Sequence, residues 1–86
     1  MIHWKLDRSW VNEYGLPCGV YSLRTNEACI NDVLAAVWVC NGSVFLTTVY
    51  KSKWTAGYRT MFELNGRTFD EAAHYIETLL RIEGKL

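Results

Sequence analysis

Three cysteines, two histidines and nine carboxylates are the side chains with which this 86-residue chain could hold a metal or do acid–base work. Cys18, Cys29 and Cys40 contain no C-x-x-C pair, so a zinc site would need all three thiolates completed by His3 or His74. Structural zinc sites bring their ligands in closely spaced pairs on turns. Lacking such pairs, each cysteine reads as a small buried hydrophobe, and neither a metal nor a cofactor is expected. An odd number of cysteines also suits a reducing compartment, the cytoplasm by default, better than a disulfide framework.

Catalytic constellations are equally sparse. Asp7, Glu13, Asp32, Glu63, Asp70 and Glu71 form no pair that the pattern brings into a cleft, and Ser9, Ser22, Ser43 and Ser52 lack a nucleophile elbow. His3 falls on the outward side of a strand pattern and His74 on the outward side of a helical one, where each is a solvated imidazole. Phosphate-cradling loops of the G-x-G-x-x-G or G-K-[ST] type are absent. The chain is therefore read as non-enzymatic, with no catalytic residue assigned.

Binding residues are easier to find. Tyr50, Lys51, Lys53, Trp54, Tyr58 and Arg59 interleave aromatics with bases, a pattern that can stack on and neutralise a single nucleic-acid strand. Against direct nucleic-acid binding stands a formal net charge of zero and a pI near 6.7, since phosphate binding draws on clustered Lys and Arg. Four tryptophans and five tyrosines favour a protein partner instead, because Trp and Tyr supply large contact area at low entropic cost. Trp10, Trp54 and Tyr58, with the helix acids Asp70, Glu71 and Glu77, are the anchors this reading selects. The competing reading buries Trp4 and Trp38 and leaves only Trp10 and Trp54 partly exposed, as in any small aromatic-rich protein.

These residues must be positioned by a scaffold whose centre is Asp32–Tyr50, DVLAAVWVCNGSVFLTTVY. Asn41-Gly42 between apolar and β-branched runs signals a two-residue type I′ hairpin. Regular pairing from that turn sets Val39 opposite Val44, Trp38 opposite Phe45, Val37 opposite Leu46 and Leu34 opposite Val49. One face then holds Leu34, Ala36, Trp38, Phe45 and Val49, and the other Val33, Val37, Val39, Val44, Leu46 and Tyr50. Both faces are apolar, so each needs a cover.

Upstream, Ile2, Trp4 and Leu6 alternate with His3, Lys5 and Asp7, the period of a half-buried strand. Gly15 to Gly19 is a turn, Val20–Arg24 a short strand, and Asn26 to about Asn31 a helical turn or loop. Downstream, Lys51–Gly57 reads as a polar loop, and Tyr58, Thr60, Phe62 and Leu64 alternate as a strand ended by Asn65-Gly66. Thr68-Phe69-Asp70-Glu71 is a capping box opening a helix that runs to about Glu83 and stops at Gly84. Phe69, Ala72, Ala73, Ile76, Leu79 and Leu80 form its apolar face, and Asp70, His74, Glu77, Thr78 and Arg81 look outward.

The expected architecture is α+β, a single domain over residues 1–86 in which an antiparallel meander of three or four strands carries one C-terminal helix on one face. A chain of this size buries about 60% of its unfolded surface, no apolar run is long enough for a membrane span, and no charged n-region precedes an apolar h-region. One helix covers one face. The other face must take the N-terminal aromatic segment (Trp4, Trp10, Tyr14), a second copy in a homodimer built on Val37, Trp38, Val39 and Leu46, or a partner. The order of strands and helix is similar to that of double-stranded RNA-binding domains, but that family starts its last helix with lysines, where this chain has Asp70 and Glu71. From Tyr58 to Leu80, with its RTFDEAAHYIETLL helix, the chain resembles small phage and prophage accessory proteins, anti-CRISPR-type inhibitors among them. That resemblance implies a non-enzymatic inhibitor or adaptor occupying a surface of a host protein or nucleoprotein complex.

Overall fold

A computed structural model describes residues 3–24, 33–52 and 55–86, the side chains of residues 51, 52, 55 and 56 excepted. Its sheet has five antiparallel strands in chain order: β1 (His3–Val11), β2 (Pro17–Arg24), β3 (Val33–Cys40), β4 (Ser43–Ser52) and β5 (Thr55–Thr60). A 3₁₀ turn at Phe62–Leu64 leads to a single helix, α1 (Phe69–Ile82), which packs against β3 and β4. The class is the α+β meander expected, with one strand more than the three or four anticipated. The residues read as a polar loop lengthen two of these strands, because β4 continues to Ser52 and β5 begins at Thr55. The helical turn expected between Asn26 and Asn31 lies outside the described residues.

Local signals hold where they are shortest. Asn41 and Gly42 both adopt positive φ, 52° and 80°, as a type I′ turn requires. Thr68 Oγ1 accepts from the Glu71 N–H while the Glu71 carboxylate accepts from the Thr68 N–H, which closes the capping box and starts α1. The helix buries Ala72, Ala73, Ile76 and Leu80 and ends before Gly84, whose φ is 74°. Asn65-Gly66 is a different turn. Asn65 is extended, Gly66 has φ 87°, and the Arg67 N–H donates to the Leu64 carbonyl at 3.1 Å, the signature of type II.

The register of the central hairpin departs from the regular one. Val39 pairs with Val44, but Trp38 pairs with Leu46, Val37 with Thr47 and Ala35 with Val49, so Phe45 is an extra residue in β4. Such a bulge shifts every later side chain to the opposite face. Ala35, Val37, Val39, Val44, Thr47 and Val49 are accordingly buried on the helix side. Ala36, Trp38, Leu46, Thr48 and Tyr50 share the other side. Regular pairing would set Leu46 and Tyr50 beneath the helix, whereas the bulge sets Thr47 and Val49 there, small enough for close approach by Ala72 and Ala73.

Past β5 the chain leaves the strand pattern. Met61 and Leu64 turn inward at 5% and 2% exposure, and Phe62 turns out at 73%. Gly66 and Arg67 then return to β4, where the Val44 N–H donates to the Arg67 carbonyl at 2.8 Å and the Gly66 N–H to the Val44 carbonyl at 2.7 Å. This contact closes the edge that β5 leaves open.

The register buries the hydroxyls of Thr47 and Thr48 without a hydrogen-bond partner, at a cost. Thr47 is fully buried, and its Oγ1 has no hydrogen-bond partner. Leaving such a group unsatisfied costs about 1–3 kcal/mol. Thr47→Val keeps the shape without the hydroxyl and is expected to raise the unfolding free energy by about 1 kcal/mol, read from the urea midpoint; a lowered midpoint would show the hydroxyl to be bonded.

Candidate functional site

The sheet has two faces and α1 lies on one. At about 1.5 Å per residue, a 14-residue helix crosses one face and cannot reach around to the second. The N-terminal segment does not act as a lid. Trp4 to Val11 belongs to β1, which hydrogen-bonds to β2 in the plane of the sheet and widens both faces. Among the described residues, no helix or strand lies over the second face.

Pairing aligns that face in rows running across the strands. Arg8, Val20, Trp38 and Leu46 make one row, and Trp10, Cys18, Cys40 and Ser43 the next toward the turn end. Lys5, Ser22, Ala36, Thr48 and Thr60 form a row of mostly short side chains. Tyr50 and Tyr58 pair beside it with ring centroids 6.4 Å apart. Trp10, Val20, Trp38, Leu46 and Tyr50 are half-buried, while Phe45 at the bulge is 46% exposed and Tyr58 59%. Ser22, Ala36 and Thr48 at the middle of this face are buried, at 1%, 6% and 8% exposure, so its exposed aromatic and aliphatic surface lies around them, and among the described residues no helix or strand covers it.

Among the described side chains, the charges of this face lie on β1 and β2. The Arg8 guanidinium stands 5.1 Å from the Trp10 ring centroid, a cation–π contact that holds both side chains. Arg24 donates from Nε to Ser22 Oγ at 2.9 Å and pairs through Nη2 with Asp7 at 3.2 Å, so its charge is met internally. Lys5 and Arg8 remain exposed, giving the apolar face a basic margin along one edge.

The residues selected from sequence divide between the two sides of the molecule. Trp10 and Tyr58 lie on the uncovered face. Arg59, next to Tyr58, points to the helix side and bonds Glu83 at 3.0 Å, so those two neighbours do not form one aromatic–basic patch. Lys53 and Trp54, with the side chain of Lys51, lie outside the described residues. Asp70, Glu71 and Glu77 sit on α1, remote from Trp10. Glu71 is engaged in the cap and with Arg67 at 3.4 Å, and Glu77 approaches Arg81 at 3.9 Å. Of the residues named for a homodimer, Trp38 and Leu46 are on the uncovered face. Val37 and Val39 are core beneath the helix, and the bulge in β4 takes Leu46 off their face and sets it beside Trp38.

Two features escaped the sequence reading. The outer side of α1 carries exposed Tyr75 (43%) and Ile82 (79%), which with His74, Thr78 and Leu79 line a depression of about 530 Å³. The second is a contact between Cys18 and Cys40, directly opposed in register. The first could have been read from the i, i+4, i+7 spacing of Tyr75, Leu79 and Ile82, whereas the second does not show in linear spacing. Among the described residues, no group of three or more His, Cys, Asp or Glu side chains is placed to hold a metal ion, and no helix is long and apolar enough to cross a membrane. No family model, curated protein or solved structure matches this chain.

The helix carboxylates have structural work. Glu71 is held below its ordinary value of 4.5 by the Thr68 backbone N–H, then by the Thr68 hydroxyl and Arg67, and Glu83 is lowered chiefly by Arg59. A lowered folded-state pKa stabilises the fold above the ordinary carboxylate value, and that contribution is lost as pH falls through the folded value. Glu71→Gln should therefore lower the urea midpoint at neutral pH, with the difference from the unmodified chain shrinking as the pH falls through the lowered value of Glu71. A difference independent of pH would remove charge from the account of this cap.

Proposed function

We propose that this chain is a non-enzymatic protein-binding module that receives an apolar protein surface on the uncovered face of its sheet. The observation that carries the reading is the row of Val20, Trp38 and Leu46, flanked by Trp10, Tyr50 and Tyr58, on a face that no described element covers. Contiguous apolar surface of this kind is rare on soluble monomers and marks interaction sites, and Trp, Tyr and Arg are the residue types that concentrate binding energy. The partner surface is apolar at its centre, with acidic side chains toward Lys5 and Arg8. A phage-encoded inhibitor that occupies a surface of a host defence or nucleoprotein complex, acting in the cytoplasm, fits this mode because it needs adhesion and no chemistry. Without a partner, the same face pairs two copies, since twofold pairing of a self-complementary patch is the commonest route to an oligomer.

Paired substitutions separate binding from folding. Leu46→Asp should leave a folded chain, whereas Val39→Asp, beneath the helix, should unfold it by burying an unpaired charge. Analytical ultracentrifugation at micromolar concentration is expected to give a dimer mass that Leu46→Asp converts to a monomer. In a lysate pull-down, Trp38→Ala or Tyr58→Ala should weaken a stoichiometric partner by about 2 kcal/mol or more, and Tyr75→Ala on the helix should not. A monomer mass for the unmodified chain removes the self-pairing; partner capture indifferent to Leu46→Asp removes the face.

A second reading, single-strand nucleic-acid binding, draws on Arg8 stacked over Trp10 beside Lys5. A sheet face with aromatics and a basic margin can stack bases. It requires oligonucleotide affinity that falls steeply with salt and weakens in Arg8→Ala, and an absence of binding at low salt disposes of it.

A further inference from the structure

The turn end of the uncovered face brings together Cys18 of β2 and Cys40 of β3. Their sulfurs are 2.7 Å apart, closer than two sulfurs in van der Waals contact. The pairing explains how. The Asn41 N–H donates to the Pro17 carbonyl at 2.7 Å, so the ladder bonds through the residues flanking the cysteines and leaves Cys18 and Cys40 a non-hydrogen-bonded pair. At such positions the opposed Cα atoms come within about 4.5 Å and the side chains lean together, inside the range of about 4.4–6.8 Å that a disulfide tolerates. No backbone rearrangement is needed to join them.

The two thiols are not equivalent. Cys40 Sγ accepts from Cys18 Sγ and from Asn12 Nδ2 at 3.3 Å and belongs to the less buried of the two residues. Asn12 is itself fixed, its Oδ1 accepting from the N–H groups of Tyr14 and Leu16. Cys18 is buried and donates; its pKa is raised to about 11, first by the hydrogen bond to Cys40 and then by desolvation.

We propose that Cys18 and Cys40 are a reversible cross-strand disulfide pair, oxidised by exchange with a low-molecular-weight disulfide such as oxidised glutathione. The Cys40 thiolate attacks one sulfur of that disulfide, forming a mixed disulfide and releasing one thiolate, which takes up the proton Cys40 gave up. Cys18 then loses its proton, attacks the Cys40 sulfur and expels the second glutathione, which leaves as the thiol. Two protein thiols become one disulfide, and one disulfide becomes two thiols. The bond closes the row Trp10–Cys18–Cys40 on the uncovered face, and the inference holds whether or not that face binds a protein.

The test uses the full chain at mildly alkaline pH with excess oxidised glutathione, quenched by alkylation and followed by intact mass and a non-reducing peptide map. The expected product has lost two hydrogens, carries one alkylated thiol, joins the Cys18 and Cys40 peptides, and reverts with dithiothreitol. In Cys18→Ser the glutathione adduct at Cys40 should persist, because the resolving sulfur is gone. Three alkylatable thiols after treatment, stable glutathione adducts on the unmodified chain, or a bond through Cys29 or between chains would overturn the proposal.

Discussion

The β4 bulge at Phe45 is the constraint on which the rest of the structure depends. The Asn41-Gly42 turn fixes the first two pairs of the hairpin, and one extra residue then turns Thr47 and Val49 toward the helix and Leu46 and Tyr50 away from it. Small side chains beneath the helix match the two alanines on its near side, so the helix seats closely over Ala35, Val37 and Val49. A regular ladder would interpose Leu46 and Tyr50 between the layers. The same shift builds the outer surface, because the large side chains excluded from the core gather beside Trp38 on the other face.

Once the helix occupies one side, the chain has no further described element for the second. β1 takes the remaining hydrogen-bonding edge of β2, which satisfies its backbone groups but adds Trp10 and Arg8 to the uncovered surface instead of screening it. At the opposite edge, the type II turn at Asn65-Gly66 returns the backbone to Val44 and closes the ladder there. The two edges are thus treated differently from the faces. The inner strands are paired on both sides, the outer edges of β1 and β5 have no partner strand among the described residues, and the face away from the helix is largely apolar.

Charge is distributed in keeping with this division. On the helix side, Glu71, Glu77 and Glu83 are drawn into the cap and into pairs with Arg67, Arg81 and Arg59. Exposed pairs of this sort contribute little individually; their effect is to leave few free charges on that side. On the sheet face, Arg24 and Asp7 neutralise each other, and Lys5 and Arg8 remain as a margin. The cysteine pair lies where this face meets the Asn12–Leu16 loop, in the row that also holds Trp10.

What the sequence determined by itself was local. The Asn-Gly hairpin turn, the Thr68–Glu71 capping box, the extent and apolar stripe of the helix, and the alternation of β1 each depend on residues within a few positions of one another, so short-range backbone preference and periodicity specify them. The class of the fold followed from their order. Which side of the hairpin is core was decided only by the tertiary structure: with apolar residues on both faces, a period of two cannot register one additional residue, and the choice fell to the volume available beneath Ala72 and Ala73. The placement of β1 as an in-plane edge strand, the separation of Tyr58 from Arg59 onto opposite faces, and the meeting of Cys18 with Cys40 arise in the same way. Each is set by pairing between strands, and linear spacing carries no term for a partner that another strand supplies.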